Sequence, residues 1–189
     1  MNDSMLSGKD LYRYFKNDPN FALYIYDEFP LEFLDSSRNM IDKKIIILYP
    51  GVDNELHKHI DGYSHFNDYL GHYCALFSFN NIMFFNSFGG VPDNVYSKIK
   101  MSPKAKKHYT KLIRALYRLQ EKEPNLDIEY NPIVYQTKFK NSCGYWCAVR
   151  LKQYDLNCKE FYKYIKTCYN TLRQNNIPDN IHYIYYYNI

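Results

Sequence analysis

A chain of 189 residues can bury one substantial core but not two, so a single domain spanning residues 1–189 is expected. With 46% hydrophobic and 23% charged residues, and 22 Tyr and 12 Phe, it lies outside the disordered class, and no window approaches the roughly 20 consecutive apolar residues of a membrane span. The opening MNDSMLSGKDLYRYF lacks the charged-then-apolar order of a signal peptide, and five cysteines are an odd number, which argues against a disulfide framework; free thiols in a reducing compartment are expected, not secretion.

In chain order, KKIIILYP at 43 to 50 is a short apolar run stopped by Pro50 and Gly51, the pattern of a buried strand. His57, His59 and His65 follow in a polar stretch read as loop. HYCALFSF at 72 to 79 and IMFFNSF at 82 to 88 flank Asn80-Asn81, and paired Asn tolerates positive φ, so a tight β-hairpin is predicted. Ser102 and Pro103 have the types of an N-cap and first helical residue, and Tyr109, Leu112, Ile113, Leu116 and Leu119 recur at helical spacing, predicting a helix over 103–122. LDIEYNPIVYQ at 126 to 136 reads as an extended segment interrupted by Pro132. Helices are predicted over about 143–155 and 158–174, and the alternation of IHYIYYYNI suggests a last strand.

The formal charge of +4 is modest but unevenly placed, because Lys98, Lys100, Lys104, Lys106, Lys107, Lys111, Arg114 and Arg118 crowd one segment. Such a segment is either a face for an anionic partner or the solvated side of an amphipathic helix.

KNSCGYWCAVRLKQYDL, residues 140 to 156, places Cys143 at the start of a helix, where Asn141 or Ser142 can cap, Gly144 leaves the turn uncluttered, and unsatisfied N–H groups favour a thiolate. With a histidinium nearby, a thiol so placed drops from about 8.5 to ~4–7. Its own backbone N–H would point at a developing oxyanion. Cys147, one turn on, is read as a small packing hydrophobe. A zinc pair is disfavoured, since the three-residue gap is not the usual knuckle and no second Cys/His pair of matching form follows. A thiolate also needs a base, and His72, opening a strand after Gly71, is placed more rigidly than the loop histidines, than His108 on the basic helix or than His182 in the tail.

Gly71-His72-Tyr73 opening one strand, Phe85-Asn86-Ser87-Phe88-Gly89 ending the next, and Gln136 followed by Asn141-Ser142-Cys143-Gly144-Tyr145-Trp146-Cys147 together resemble the adenovirus-type maturation proteases and the SUMO/ubiquitin-like-protein proteases, one clan of cysteine peptidases. The resemblance covers about residues 44 to 160. It implies an α+β, papain-like or adenain-like fold: a central mixed sheet flanked by helices, with the catalytic Cys at a helix N-terminus. It further implies Cys143 as nucleophile, His72 as base, Asn86 orienting the imidazole, and the Gln136 amide completing an oxyanion hole with the Cys143 N–H. Gly71, Tyr73 and Gly144 would border the substrate channel. No cofactor and no metal are implied.

The sequence departs from the clan's pattern in three ways. Tyr73 stands where Trp is usual, and Asn86 replaces the commoner acid, so it can fix a tautomer but not stabilise an imidazolium by charge. The interval from His72 to Asn86 is also short. A strict two-residue loop would pair Phe79 with Ile82 and set Asn86 and His72 on opposite faces of the pleat, whereas a three-residue loop with a bulge, pairing Phe79 with Met83, restores a common face; a bulged or longer loop is therefore expected, or else His72 just outside the regular strand.

The function the resemblance implies is an endopeptidase cleaving viral structural precursors at Gly-Gly-type sites, in the virion or the host cytoplasm. Lys98, Lys104, Lys106, Lys107, Lys111 and Arg114 would offer non-specific DNA binding, as in the adenovirus branch. The alternatives are a processing or deconjugating protease for ubiquitin-like modifiers, an acetyltransferase of the same clan, and a non-catalytic basic structural or DNA-binding protein.

Overall fold

Strands of nearly unbroken Ile, Leu and Phe need apolar cover on both faces, and the computed structural model supplies it. It describes residues 6–50, 71–92, 110–136, 142–177 and 180–187. Among the described residues five strands form one mixed sheet in sequential order: β1 (Phe21–Ile25), β2 (Lys44–Pro50), β3 (Gly71–Ser78), β4 (Ile82–Phe85) and β5 (Ile128–Tyr130). The middle three are antiparallel, and β1 and β5 join the edges in parallel with β2 and β4. The helices are α1 (Gly8–Tyr14), α2 (Lys111–Lys122), α3 (Cys143–Lys152), α4 (Cys158–Gln174) and α5 (Ile181–Tyr187).

Alternation along the strands divides the core into two layers. Ile46, Leu48, Tyr73, Ala75, Phe77, Met83 and Phe85 face α1, α3, α4 and α5. Ile45, Ile47, Cys74, Leu76, Ile82 and Phe84 face α2 and the short 3₁₀ turns that link β1 to β2. The chain is thus α+β, with helices on both sides of the sheet. Each fully buried Ile, Leu or Phe contributes about 1.5–3 kcal/mol of transfer free energy, so β2, which buries Ile45, Ile46, Ile47 and Leu48, is the costliest strand to disturb.

Several boundaries differ from expectation for local reasons. The tail is a helix, not a strand: Asn180 Oδ1 accepts from the His182 N–H, and the i, i+3, i+4 spacing buries Ile181, Ile184 and Tyr185 beside Tyr145. The first predicted helix after residue 142 stops at Lys152 rather than 155, while α4 covers 158–174 as read, opened by a reciprocal cap between Asn157 and Glu160. β4 ends at Phe85, three residues short of the predicted 88, because Asn86 starts a tight turn in which the Gly89 N–H meets the Asn86 carbonyl. Of 126–136, only Ile128–Tyr130 is a strand. α1, capped by Ser7 and Asp10, and β1 are elements that the sequence reading lacked. Ser102, Pro103, Asn141, His57, His59, His65, His108 and Lys98 to Lys107 lie outside the described residues.

Candidate active site

The β3–β4 hairpin determines whether His72 and Asn86 meet. The ladder runs Ser78–Ile82, Phe77–Met83, Leu76–Phe84 and Ala75–Phe85, leaving Phe79, Asn80 and Asn81 as a three-residue loop. The loop has the expected length, but Phe79 stays out of the ladder instead of pairing with Met83, and those four pairs contain no bulge. Continuing the register by one sets Asn86 across from Cys74, on the pleat face it shares with His72. Asn81 turns its side-chain amide toward Glu129 of β5, 3.3 Å away, which holds it in the loop.

Asn86 Oδ1 lies 2.8 Å from His72 Nε2. The same oxygen accepts from the Phe88 N–H at 3.0 Å, and Asn86 Nδ2 donates to the Gly89 carbonyl at 3.2 Å, so the surrounding backbone fixes which end of the amide faces the ring. His72 therefore carries a proton on Nε2 and presents Nδ1 on the other side of the ring. The Phe88 ring stacks on the imidazole, centroids 4.5 Å apart and 13° from parallel. Asn131, at 2% exposure, completes the frame: its Oδ1 accepts from the Asn86 N–H at 2.7 Å, and its Nδ2 donates to the carbonyls of Asn86 at 2.8 Å and Ile133 at 2.9 Å.

Cys143 is the first residue of α3 and sits beside Tyr73, the residue after His72. The backbone N–H groups of Tyr73, Gly144 and Cys143 hydrogen-bond its sulfur and favour the thiolate, but burial is the larger effect and pushes the thiol's pKa up. A lowered pKa was expected from the helix terminus. The difference arises because Cys143 is only 3% exposed, within the core cluster that also holds Leu6, Tyr73 and Trp146. Ser142 makes no side-chain cap; its carbonyl accepts the Trp146 N–H at 3.0 Å. Cys147, fully buried, donates its thiol to the Tyr73 carbonyl at 3.3 Å, a packing role. Burial raises the pKa of Cys147, and of Cys74 on the neighbouring strand, well above the usual thiol range.

Gln136 is buried with its Oε1 accepting from Ser87 Oγ at 2.7 Å, while the Ser87 carbonyl accepts the N–H groups of Tyr135 and Gln136 at 2.8 and 3.0 Å. Ser87 thus holds the amide oxygen and turns the NH2 group the other way, toward donation. Ser87 and Asn131 carry the site's polar frame, and sequence reasoning assigned neither a role. The Asn-Pro that ends β5 was the available signal for Asn131.

The three residues read as bordering a channel have different surroundings. A Cβ at Gly71 would lie 2.3 Å from the Tyr49 carbonyl oxygen, so glycine there permits the pairing with β2. A Cβ at Gly144 would lie 3.0 Å from Leu6 Cβ and 3.4 Å from the Tyr73 ring, so Gly144 and Tyr73 pack together beneath Leu6. Of the basic segment, Lys111, Arg114 and Arg118 are described, along α2, whose opposite face buries Leu112, Ile113, Leu116 and Leu119. Among the described residues no cluster of His, Cys, Asp and Glu could hold a metal ion, and no helix is long and apolar enough to cross a membrane.

No protein-family model and no solved structure matches the chain. Over 146 residues it is 32% identical to "Uncharacterized protein V9" of Sputnik virophage, an alignment covering 71% of this chain and 79% of that protein. The chain therefore belongs to the family of the Sputnik virophage protein V9.

Proposed function

We propose that the protein is a thiol endopeptidase of the clan that includes the adenovirus-type maturation and ubiquitin-like-modifier proteases, with the adenain-like version of the α+β fold, and that it cleaves viral structural precursors during virion maturation. The observation that carries this reading is the His72–Asn86 couple at 2.8 Å, its tautomer fixed by a buried amide frame one residue from the backbone N–H that meets the Cys143 sulfur. A purely structural His would not require an Asn whose oxygen and nitrogen are both assigned by backbone partners. Kinship with a virophage protein supports a viral substrate.

In this mechanism the Cys143 Sγ–H proton passes to His72 Nδ1, and the sulfur attacks the scissile carbonyl carbon. The carbonyl electron pair moves to oxygen, which the Cys143 N–H and the Gln136 NH2 stabilise. Collapse of the adduct breaks the C–N bond, and His72 returns the proton to the leaving amine. Water, deprotonated by His72, then hydrolyses the thioester and restores the thiol. Asn86 keeps the ring aligned but adds no charge to stabilise the imidazolium, and burial raises the Cys143 thiol, so the sulfur rests protonated until its proton passes to His72.

The test is hydrolysis of peptides bearing Gly-Gly beside the same bond in intact ubiquitin-like fusions. Cleavage of short peptides, abolished in Cys143→Ala and retained in a folded Cys147→Ala, is the expected result. Absence of cleavage by the wild type overturns the reading. Preference for the fusions by more than about 10²-fold in kcat/KM, roughly 2.7 kcal/mol of transition-state binding, promotes the deconjugating alternative.

A further inference from the structure

Between α2 and the 3₁₀ turn Leu31–Leu34 a groove of about 280 Å³ opens, on the face of the sheet opposite α3. From α2 it is lined by Lys111, Arg114, Ala115, Arg118 and Lys122. At about 100° per residue these positions share one strip of the helix, beside the side that buries Leu112, Ile113, Leu116 and Leu119. The four cations are exposed, Leu31 and Ala115 are half-buried, and Leu34 is buried. Among the described residues no ion pair joins the four to Asp35, the acid of this lining, or to Glu121, three positions from Arg118. Lys111 also lines an adjoining cavity of about 260 Å³ with Asp27 and Glu32, so the uncompensated charge lies at Arg114, Arg118 and Lys122. Those three stand at successive four-residue steps, where like charges destabilise a helix, so folding does not account for their crowding.

We infer that this groove docks an extended segment of a partner polypeptide in which acidic and apolar residues alternate. Charge complementarity selects the acids, and the two guanidinium forks suit carboxylates. The spacing selects the extended form. Four residues of helix rise about 6 Å, and alternate residues of an extended chain lie about 6.6 Å apart, so successive acids on one side of the segment meet Arg114, Arg118 and Lys122 in turn. The intervening side chains point to the other wall, where Leu31 offers apolar contact. A phosphate backbone fits less well, because it would leave Leu31 without a partner and bring its charge against Asp35. The inference does not use the peptidase reading: α2 and α3 pack on opposite faces of the sheet, and the groove is a docking surface apart from the Cys143 thiol.

The test is fluorescence anisotropy of a short fluorescein-labelled peptide alternating Glu and Leu, titrated with the full chain carrying Cys143→Ala so that the probe stays intact. Its counterpart with Ser in place of Leu, and an unlabelled oligodeoxythymidine as competitor, complete the set. Saturable binding of the Glu/Leu peptide, weakened at least tenfold by exchange of Leu for Ser and at least tenfold by Arg114→Glu with Arg118→Glu, is the expected result. Circular dichroism checks that the double variant folds, and Arg114→Gln with Arg118→Gln, which removes charge without reversing it, should weaken binding in the same direction. Absence of saturable binding, equal affinity for the Leu and Ser peptides, or an affinity unmoved by both double variants overturns the inference. So does displacement of the peptide by the oligodeoxythymidine at concentrations below those of the unlabelled peptide, which would assign the groove to a phosphate backbone. Hydrolysis by the wild type is measured separately, so neither reading falls with the other.

Discussion

Replacing Asn131 by Ala removes three hydrogen bonds from a residue 2% exposed and touches neither His72 nor Cys143. The Asn86 N–H loses its acceptor inside the protein, and the carbonyls of Asn86 and Ile133 lose their shared donor. An intramolecular hydrogen bond contributes about 1 kcal/mol net, and an orphaned buried N–H adds a desolvation cost of about 1–3 kcal/mol. Allowing for partial relaxation, the loss should come to roughly 3 kcal/mol, about 6–12 °C in Tm for a chain of this size. Asn131→Asp separates the contributions, because the carboxylate still accepts from Asn86 but confronts two carbonyl oxygens that need a donor; it should be at least as damaging as Ala. Differential scanning calorimetry supplies Tm, and peptide hydrolysis should show kcat falling with KM held, since the frame acts on the orientation of His72 and not on substrate contact. A Tm shift below about 2 °C with unchanged kcat would refute the claim that Asn131 holds Asn86.

Three further outcomes are expected. Gln136→Ala should lower kcat by roughly 10²–10³ at nearly constant KM, and Ser87→Ala should lower it less, since Ser87 only holds the amide oxygen; a loss confined to KM would count against the oxyanion role. All five thiols are shifted upward, burial being the leading cause, with Cys158 raised to about 11. Folding therefore favours their protonated forms: that stabilisation is complete below the unfolded thiol pKa near 8.5 and is lost as pH rises through the folded values, so Tm should fall from about pH 8 to pH 10, and a flat profile would contradict it. Changing Lys104, Lys106, Lys107 and Lys111 to Gln should weaken salt-sensitive DNA binding; a wild type showing none near 50 mM salt would leave α2 as a solvated helix.

The parts of the fold that were legible in the sequence are those set by local chemistry. The apolar run at 45 to 48 reads as a strand covered on both faces, and the helix read over 158–174 is opened by a purely local cap between Asn157 and Glu160. The tail was ambiguous because IHYIYYY satisfies both a two-residue and a helical period; the decision came from Asn180 and from packing against Tyr145, which is a tertiary effect. At the candidate site, the residue types at 72, 86, 136 and 143 were readable, but the hairpin register was not. Two loop lengths fit the same letters, and the choice depended on Asn81 reaching β5, 48 positions away. The raised Cys143 pKa was equally hidden, since a helix N-terminus argues for a thiolate and only the long-range approach of Leu6 to Gly144 reveals the burial that outweighs it.

Arg150 lies fully buried in α3, two turns beyond Cys143, its guanidinium between the rings of Phe77 and Phe161 at 4.6 and 4.8 Å. It donates to the carbonyls of Gln153 and Leu156 and to Met83 Sδ at 3.1 Å, and burial draws its pKa down only to about 10, so it stays charged at neutral pH. This planar fork rivets the C-terminal end of α3 to the sheet and to the connection into α4, while Tyr73 grips the N-terminal end through both cysteines. A helix pinned at both ends does not rock. The seven-residue α1 is held differently, by its own Ser7–Asp10 cap, by the Tyr12 hydroxyl donated to the Leu23 carbonyl at 3.3 Å and by Tyr14 stacked on Tyr185 of α5; with no buried ionic fork of its own, it should open before α3 in hydrogen exchange.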